Sequence, residues 1–288
     1  MRKTVLASLL FMVCMVAVGA SAQTPAFTFK FTTVTVAGAQ STQLFGVNNA
    51  GAMVGDYLDA AGVWHGVLIA GGKTTTIDHP GAVIGTFLYA INSSGTIAGL
   101  YQDGVGGVFG FTYKGGVFKA VTPTGSTATF VYGINDKGQV AGAYFDAANV
   151  LHGFYGPVGS NYVTVDVAGS SSTLAFGINK AGSVTLVWQN SSGVKSGSLY
   201  NGKTFVALRV PGASQTMPRA INTNGDVVFA FVDATGTHAA LRTGGKYYKF
   251  SDPLQPTNTR AVGINDKREI VGNFVDSIGN WSGMKVTY

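Results

Sequence analysis

Short apolar stretches, each interrupted by turn residues, recur along the chain at a fixed period. The phrase Gly-Ile-Asn and its variants occurs six times, at intervals of 44, 43, 44, 43 and 43 residues. A glycine follows the asparagine by three residues in five of the six copies, and an aromatic residue follows it by nine in all six. This regularity indicates a repeat architecture. The anchoring asparagines are Asn48, Asn92, Asn135, Asn179, Asn222 and Asn265.

Each copy divides into four short predicted strands. The first ends at the asparagine, as in Leu88 to Asn92, and an Asn-x-x-Gly turn leads to the second, as in Gln139 to Phe145. An Asp-x-x-Gly turn precedes the third strand, His152 to Tyr155, and Gly-rich turns precede the fourth, Tyr162 to Val167. Apolar spacing of the helical type is absent, which argues against a helical repeat. Four strands in about 43 residues are typical of a propeller blade.

The two ends of the repeat region complement each other. Residues 27–36 resemble the fourth strand of a copy whose first three strands are missing, and the chain after Asn265 supplies three strands without a fourth. If the N-terminal strand pairs with the three C-terminal strands, the last blade is complete and the ring has no open strand edge. The sequence therefore predicts an all-β protein, a six-bladed β-propeller of four-stranded antiparallel blades with the last blade closed by the N-terminal strand. We expect residues 23–288 to form this single domain.

The first 22 residues are predicted to be a signal peptide. Arg2 and Lys3 precede an apolar run over residues 5–18, and Ala20-Ser21-Ala22 fits a small-residue cleavage site. The only cysteine, Cys14, lies in this segment. We therefore expect a secreted or periplasmic protein that has no cysteine and no membrane span once the segment is cleaved.

Composition narrows the possible functions. The chain has 41 Gly, 11% charged residues and a net charge of +6, and its basic residues are scattered singly, so nucleic-acid binding is not expected. No nucleophile elbow, zinc-protease motif or phosphate-binding glycine loop is present in the sequence. The single glutamate, Glu269, leaves few ways to build a carboxylate pair for glycoside hydrolysis. We expect a monomer without metal or cofactor, and a non-enzymatic role is favoured.

Departures from the repeat give the candidate site. Arg219 lies three residues before its asparagine and Arg260 five before its own, at registers where the other copies carry uncharged and mostly apolar side chains. With Tyr89 and Tyr132, they are predicted to line a pocket for an anionic or sugar ligand, by bidentate hydrogen bonding and stacking. Three histidines at a common register, by contrast, are predicted to make structural hydrogen bonds rather than a zinc site. They are His65, His152 and His238.

The repeat also resembles a known family. The stretch from Gly133 to Gly142, followed by His152-Gly153-Phe154, is similar to the extracellular HAF repeat, named for a His-Ala-Phe phrase that follows Gly-Ile-Asn. The likeness covers essentially the whole chain after the predicted signal peptide. It implies a secreted bacterial repeat protein, and it brings no catalytic residue with it.

Three functional hypotheses follow. The leading one is a secreted binding or interaction propeller for a polar ligand, which leaves glycan, cell-surface and protein ligands open. The second is a lyase or hydrolase acting at the axial opening, for which Arg219, Arg260 and the loop histidine His79 are the first residues to test. The third is a structural repeat protein of the envelope or matrix.

Overall fold

Strands and tight turns account for the chain wherever it is described. The computed structural model describes residues 27–288, so the predicted signal peptide lies outside the described residues. Within that range, no helix is long and apolar enough to cross a membrane. Valine, threonine and aromatic residues fill the strands, because branched and ring side chains fit the pleated surface of a sheet. Glycines take the positive φ angles that the turns between strands require, as at Gly51 (φ 79°) and Gly95 (φ 78°).

Residues 27–288 form 24 strands, most of them four to eight residues long. In chain order they are β1 (Lys30–Val34), β2 (Ser41–Val47), β3 (Met53–Leu58), β4 (Trp64–Ala70), β5 (Lys73–Thr76), β6 (Gly85–Ile91), β7 (Ile97–Gln102), β8 (Val108–Lys114), β9 (Val117–Val121), β10 (Ala128–Ile134), β11 (Gln139–Phe145), β12 (Leu151–Pro157), β13 (Val163–Thr164), β14 (Ser172–Ile178), β15 (Val184–Gln189), β16 (Lys195–Tyr200), β17 (Phe205–Leu208), β18 (Gln215–Ile221), β19 (Val227–Asp233), β20 (Gly236–Thr243), β21 (Lys246–Phe250), β22 (Thr259–Ile264), β23 (Ile270–Val275) and β24 (Trp281–Thr287).

Antiparallel pairing groups these strands into sheets. Four sheets have four strands each: β10 to β13, β14 to β17, β18 to β21, and β22 to β24 together with β1. The strands β2 to β9 form one eight-stranded sheet, because a single parallel bridge between Trp64 and Gly85 joins two antiparallel four-stranded arrays. The predicted propeller of four-stranded antiparallel blades is confirmed. The strand pairing gives five sheets rather than the six that the repeat predicts.

The first and last strands of the chain pair directly. Strand β1 runs antiparallel to β24, from the pair Lys30 and Thr287 to the pair Val34 and Gly283. The ring of Phe29 also stacks on Phe250 of β21, with centroids 4.3 Å apart. Strand β1 therefore completes the last sheet and connects it to the sheet before it.

The core lies between neighbouring sheets. One cluster contains Leu241 of β20, Ile264 of β22 and Met284 of β24, and the clusters between other sheets have the same composition of aliphatic and aromatic side chains. Each fully buried side chain of this kind stabilises the fold by ~1.5–3 kcal/mol. Small residues two before each asparagine permit close approach: a Cβ on Gly133 would lie 2.3 Å from the Phe176 carbonyl oxygen.

Candidate functional site

Six asparagine side chains form a closed hydrogen-bonded circle around the centre of the molecule. The Nδ2 of each anchor donates to the main-chain carbonyl of the next, and the circle closes where Asn265 donates to the Asn48 carbonyl at 2.9 Å. The Oδ1 atom of Asn135 meanwhile accepts two N–H groups of its own turn, from Lys137 and Gln139, both at 3.0 Å. The asparagines therefore fix both the turns and the spacing of the inner strands. The six donors are Asn48, Asn92, Asn135, Asn179, Asn222 and Asn265.

A β-bulge in every inner strand lies just before this circle. The pairing register of β10 shifts between Val131 and Gly133, and that of β18 shifts between Pro218 and Ala220, so Tyr132 and Arg219 have no cross-strand partner. A bulge of this kind re-aims a side chain. The other four inner strands shift at the same place in the repeat. The bulged residue, three before the asparagine, lines the central cavity in all six copies.

The central cavity has a volume of about 170 Å³ and takes wall residues from all six copies. Contacts between side chains at the bulge register run around most of its circumference. Phe45 lies 4.9 Å from Tyr89, Tyr89 packs edge-to-face on Tyr132 at 5.1 Å, and Tyr132 stacks on Phe176 at 4.6 Å, measured between ring centroids. These four rings are half-buried, and all of them line the cavity. We call this space the axial cavity.

Two guanidinium groups complete the wall of the axial cavity. The Arg219 Cζ lies 4.3 Å from the centroid of the Phe176 ring, and the Arg260 Cζ lies 4.6 Å from that of Trp281. Stacking on an aromatic face orients a guanidinium while leaving its N–H donors free. Across residues 27–288, neither guanidinium has a carboxylate within ion-pair distance or a side-chain hydrogen bond. The structure thus brings together all four predicted site residues, and their role in binding stays a prediction.

The electrostatics of the axial cavity favour an anion. Burial, countered in part by Tyr132 and reinforced by Arg260, lowers the pKa of Arg219 to about 10. Both arginines are therefore charged at neutral pH. Burial raises the pKa of the Tyr89 and Tyr132 hydroxyls, so both remain neutral donors. Two positive charges without a paired carboxylate in a confined space would be stabilised by an anionic ligand.

Sequence reasoning missed Asn273 and Trp281, which line the axial cavity, and the buried Asp56, which does not line it. Asn273 lines the axial cavity, and its Oδ1 accepts the Leu44 N–H at 2.6 Å. Asp56, at the same register of the first copy, is 1% exposed, and burial raises its pKa well above the usual value. The sequence does carry a signal for Asn273 and Asp56. Both are polar residues eight positions after the asparagine, where the other copies have apolar residues. The sequence carries no such signal for Trp281. The equivalent residue of the first copy is also a tryptophan, Trp64, and it does not line the axial cavity.

A second, smaller cavity lies on the asparagine side of the axis. It measures about 80 Å³, and the asparagines and the residues that follow them, such as Asp136 and Lys180, line it. Six aliphatic side chains line both this space and the axial cavity, so they lie between the two. They are Val47, Ile91, Ile134, Ile178, Ile221 and Ile264.

The histidines of the third strands make structural hydrogen bonds. The Nδ1 of His65 lies 2.7 Å from Asp78 Oδ2, and that of His152 lies 2.6 Å from Asp166 Oδ2. The Nε2 atom of each ring faces the aspartate that begins the turn before its strand, Asp59 at 3.3 Å for His65 and Asp146 at 3.4 Å for His152. His238 meets the Ser251 hydroxyl at 2.9 Å instead. Each histidine therefore ties its third strand to the connection that follows the fourth.

We expect these pairs to make stability depend on pH. Partial burial lowers the pKa of His65 and His152, but the hydrogen bonds that each ring donates to two aspartates raise it more, and the net pKa is raised. A raised pKa in the folded state adds stability below about pH 6.5, and this contribution is lost as the pH rises through the folded-state value. Melting temperatures of the parent and of a His65→Gln/His152→Gln variant should therefore differ more at about pH 5.5 than at about pH 8.5. An equal difference at both pH values would contradict this assignment.

His79 lies apart from the arginines. It does not line the axial cavity, and its ring stacks on Tyr101 with centroids 3.7 Å apart. Its main-chain N–H donates to Thr86 Oγ1, which fixes the connection between β5 and β6. The structure therefore places His79 beside β7 and away from Arg219 and Arg260, and the hypothesis of an enzyme acting at the axial opening stays a prediction.

Comparison with known proteins identifies the fold. Neither the scan against protein-family models nor the search of curated proteins gives a match. Among solved structures, a putative TolB from Agrobacterium tumefaciens matches with a TM-score of 0.61 and 12% identity, over 86% of this chain and 91% of that one. The Aleuria aurantia lectin matches with a TM-score of 0.55 and 11% identity, over 86% and 93%, in a mutant complex with Fucα1-6GlcNAc.

The chain has the β-propeller fold. A further structure of the Aleuria lectin is described as a six-bladed β-propeller with a novel mode of fucose recognition, and it has a TM-score of 0.55. AofleA from Arthrobotrys oligospora matches with a TM-score of 0.52 and 12% identity, over 90% of this chain and 82% of that one. At these identities the likeness concerns the fold alone.

Proposed function

We propose that this protein is a binding propeller whose axial cavity takes an anionic group, such as the carboxylate of an acidic sugar in a glycan. The observation that carries this proposal is the pair of stacked guanidinium groups, Arg219 and Arg260, without a carboxylate partner in residues 27–288. Planar guanidinium donors match a carboxylate bidentately. The aromatic side chains between them offer faces against which a sugar ring packs.

The size of the axial cavity limits what enters it. Its volume of about 170 Å³ is below the range of about 300–1,000 Å³ typical of sites that enclose a whole ligand. A terminal acidic unit of a longer chain fits this geometry, with the rest of the glycan remaining outside. The lectins among the structural neighbours bind fucosyl sugars according to their descriptions, and this supports a glycan ligand in general without specifying one.

Titration with galacturonate and glucuronate by isothermal calorimetry tests this proposal. We expect at least one of them to bind in a manner that depends on Arg219, whereas any binding of the neutral sugars galactose and glucose should not depend on Arg219. An Arg219→Gln variant should bind roughly 10- to 100-fold more weakly, because a hydrogen bond to a charged group is lost.

A matched control uses an arginine outside the axial cavity. Arg242 of β20 lies over the Tyr247 ring at 5.9 Å and does not line the axial cavity, so Arg242→Gln should leave affinity unchanged. Equal loss in both variants would point to a general effect of positive charge. Absence of uronate binding to a folded protein would overturn the proposal and favour a structural repeat protein.

We further propose that the ring counts six blades. The two halves of the eight-stranded sheet meet at one bridge only, and each half has four antiparallel strands, as the separate sheets have. The circle of six asparagines has one member for each such unit. Membership of the HAF repeat family and a location outside the cytoplasm belong to the same proposal. They rest on the Gly-Ile-Asn repeat and on the signal-like residues 1–22.

A further inference from the structure

A larger cavity lies between β8, β9 and the neighbouring β10, apart from the axis. Its volume is about 340 Å³, and none of its lining residues also lines the axial cavity. That volume lies at the lower end of the range typical of small-molecule sites. We call it the lateral cavity.

The repeat explains why space opens here. In the first and third copies, a histidine of the third strand bonds an aspartate of the following connection, as His65 bonds Asp78. The second copy has Phe109 and Thr122 at these positions, so that pair of polar side chains is missing. Phe109 remains 41% exposed and lines the lateral cavity together with Thr122.

A second departure leaves a hydroxyl group at the lateral cavity without a hydrogen-bond partner among the described residues. In five copies, the threonine six before the asparagine accepts a main-chain N–H from the preceding connection, as Thr173 does from Val167 at 3.1 Å. In the third copy the donor position is Pro123, which has no N–H. Thr129 is 4% exposed and lines the lateral cavity, and no described residue hydrogen-bonds its side chain.

Aromatic rings form the opposite wall. His79 stacks on Tyr101 at an interplanar angle of 6°, and Tyr101 stacks on Phe109 with centroids 5.0 Å apart. Phe118 packs edge-on against His79 at 4.7 Å. The His79 Nδ1 accepts the Gly81 N–H at 3.0 Å, so the Nε2 atom carries the proton of the neutral ring.

The lining chemistry selects a class of ligand. The residues that line the lateral cavity include no Asp, Glu, Lys or Arg, so a charged ligand would be desolvated without a counter-charge. A purely apolar ligand would leave the Thr129 hydroxyl buried and unsatisfied. A ring with an apolar face and hydroxyl groups at its edge suits both walls. Its face packs against the aromatic side chains, and its hydroxyl groups hydrogen-bond the threonines.

We propose that the lateral cavity binds one neutral sugar ring, with its C–H face against the exposed ring of Phe109 and its hydroxyl groups bonded to Thr129 and Thr122. This site is separate from the axial cavity and differs in the charge of its ligand. The lateral cavity takes an uncharged sugar, whereas the axial cavity takes an anionic group. It does not depend on the function proposed for Arg219 and Arg260.

Saturation-transfer NMR and calorimetric titration of the protein with methyl glycosides of glucose, galactose, mannose and fucose test this proposal. We expect at least one glycoside to bind saturably. Phe109→Ala should weaken it about tenfold through loss of the apolar face. Thr129→Val, which keeps the shape of the side chain, should weaken it about fivefold through loss of one hydrogen bond.

Two controls separate this site from others. Phe205 is 45% exposed on β17 and does not line the lateral cavity, so Phe205→Ala should leave glycoside binding unchanged. Arg219→Gln should also leave it unchanged, and a loss there would assign the glycoside to the axial cavity. No saturable binding, or binding insensitive to both Phe109→Ala and Thr129→Val, would overturn the proposal. Saturable binding of phenol in place of every glycoside would overturn the ligand class.

Discussion

A protein that begins at residue 37 will fail to unfold cooperatively, because it lacks the strand that completes the last sheet. Strand β1 pairs with β24 at five consecutive positions, and its loss exposes an unpaired edge. Phe29 and Phe31 pack against the cluster around Phe250, and Phe27 packs on Tyr288 with centroids 4.8 Å apart. Half-burial of three such rings stabilises the fold by roughly 2–4.5 kcal/mol, a large part of the 5–15 kcal/mol typical of a whole domain.

Thermal melts followed by circular dichroism measure this effect. The matched control is a protein that begins at residue 27, which keeps β1 intact and should melt as sharply as the longer chain. A protein starting at residue 37 with the same sharp transition would contradict the closure of the ring by β1.

Replacement of Asn135 by alanine will cost about 3–5 kcal/mol of unfolding free energy. The side chain caps its own turn through Oδ1, and its Nδ2 donates to the Asn179 carbonyl at 2.9 Å and to Gln139 Oε1 at 2.8 Å. Asn135 is 4% exposed, so water cannot easily replace these bonds. Breaking the circle at one point affects two neighbouring sheets.

Asn201 offers the matched comparison for this variant. Its Oδ1 also caps a turn, accepting N–H groups of Lys203 and Thr204 at 3.0 and 2.8 Å, but it lies exposed on the surface. Asn201→Ala should cost less than about 1 kcal/mol in the same denaturation experiment. Equal losses in the two variants would show that the circle adds nothing beyond local capping.

Most of the fold could be predicted from the repeat, because each copy encodes the same strands and turns. The asparagine register located the inner strands, and strand β11 covers the predicted residues 139–145. The fourth strand of the third copy is shorter than predicted, with only Val163–Thr164 paired. The bridge that joins Trp64 to Gly85 has no signal in the repeat, since it depends on how two copies meet.

The residues of the candidate site could be predicted from the sequence where they differ from the equivalent residues of the other copies. Arg219 and Tyr132 could be assigned to one ring because they share a register, but the bulges that turn them toward the axis are backbone features without a residue signature. The repeat does not predict the lateral cavity, although Phe109 stands where other copies have a histidine. Its opening also requires Pro123, whose effect on Thr129 becomes visible only when the connection and the strand are seen together.

The most direct test of the account is a crystal structure of residues 27–288 grown with galacturonate. We predict that this structure will show six four-stranded blades around one axis and a carboxylate held between Arg219 and Arg260. A different number of blades, or an ordered uronate bound elsewhere while the axial cavity contains only solvent, would contradict it.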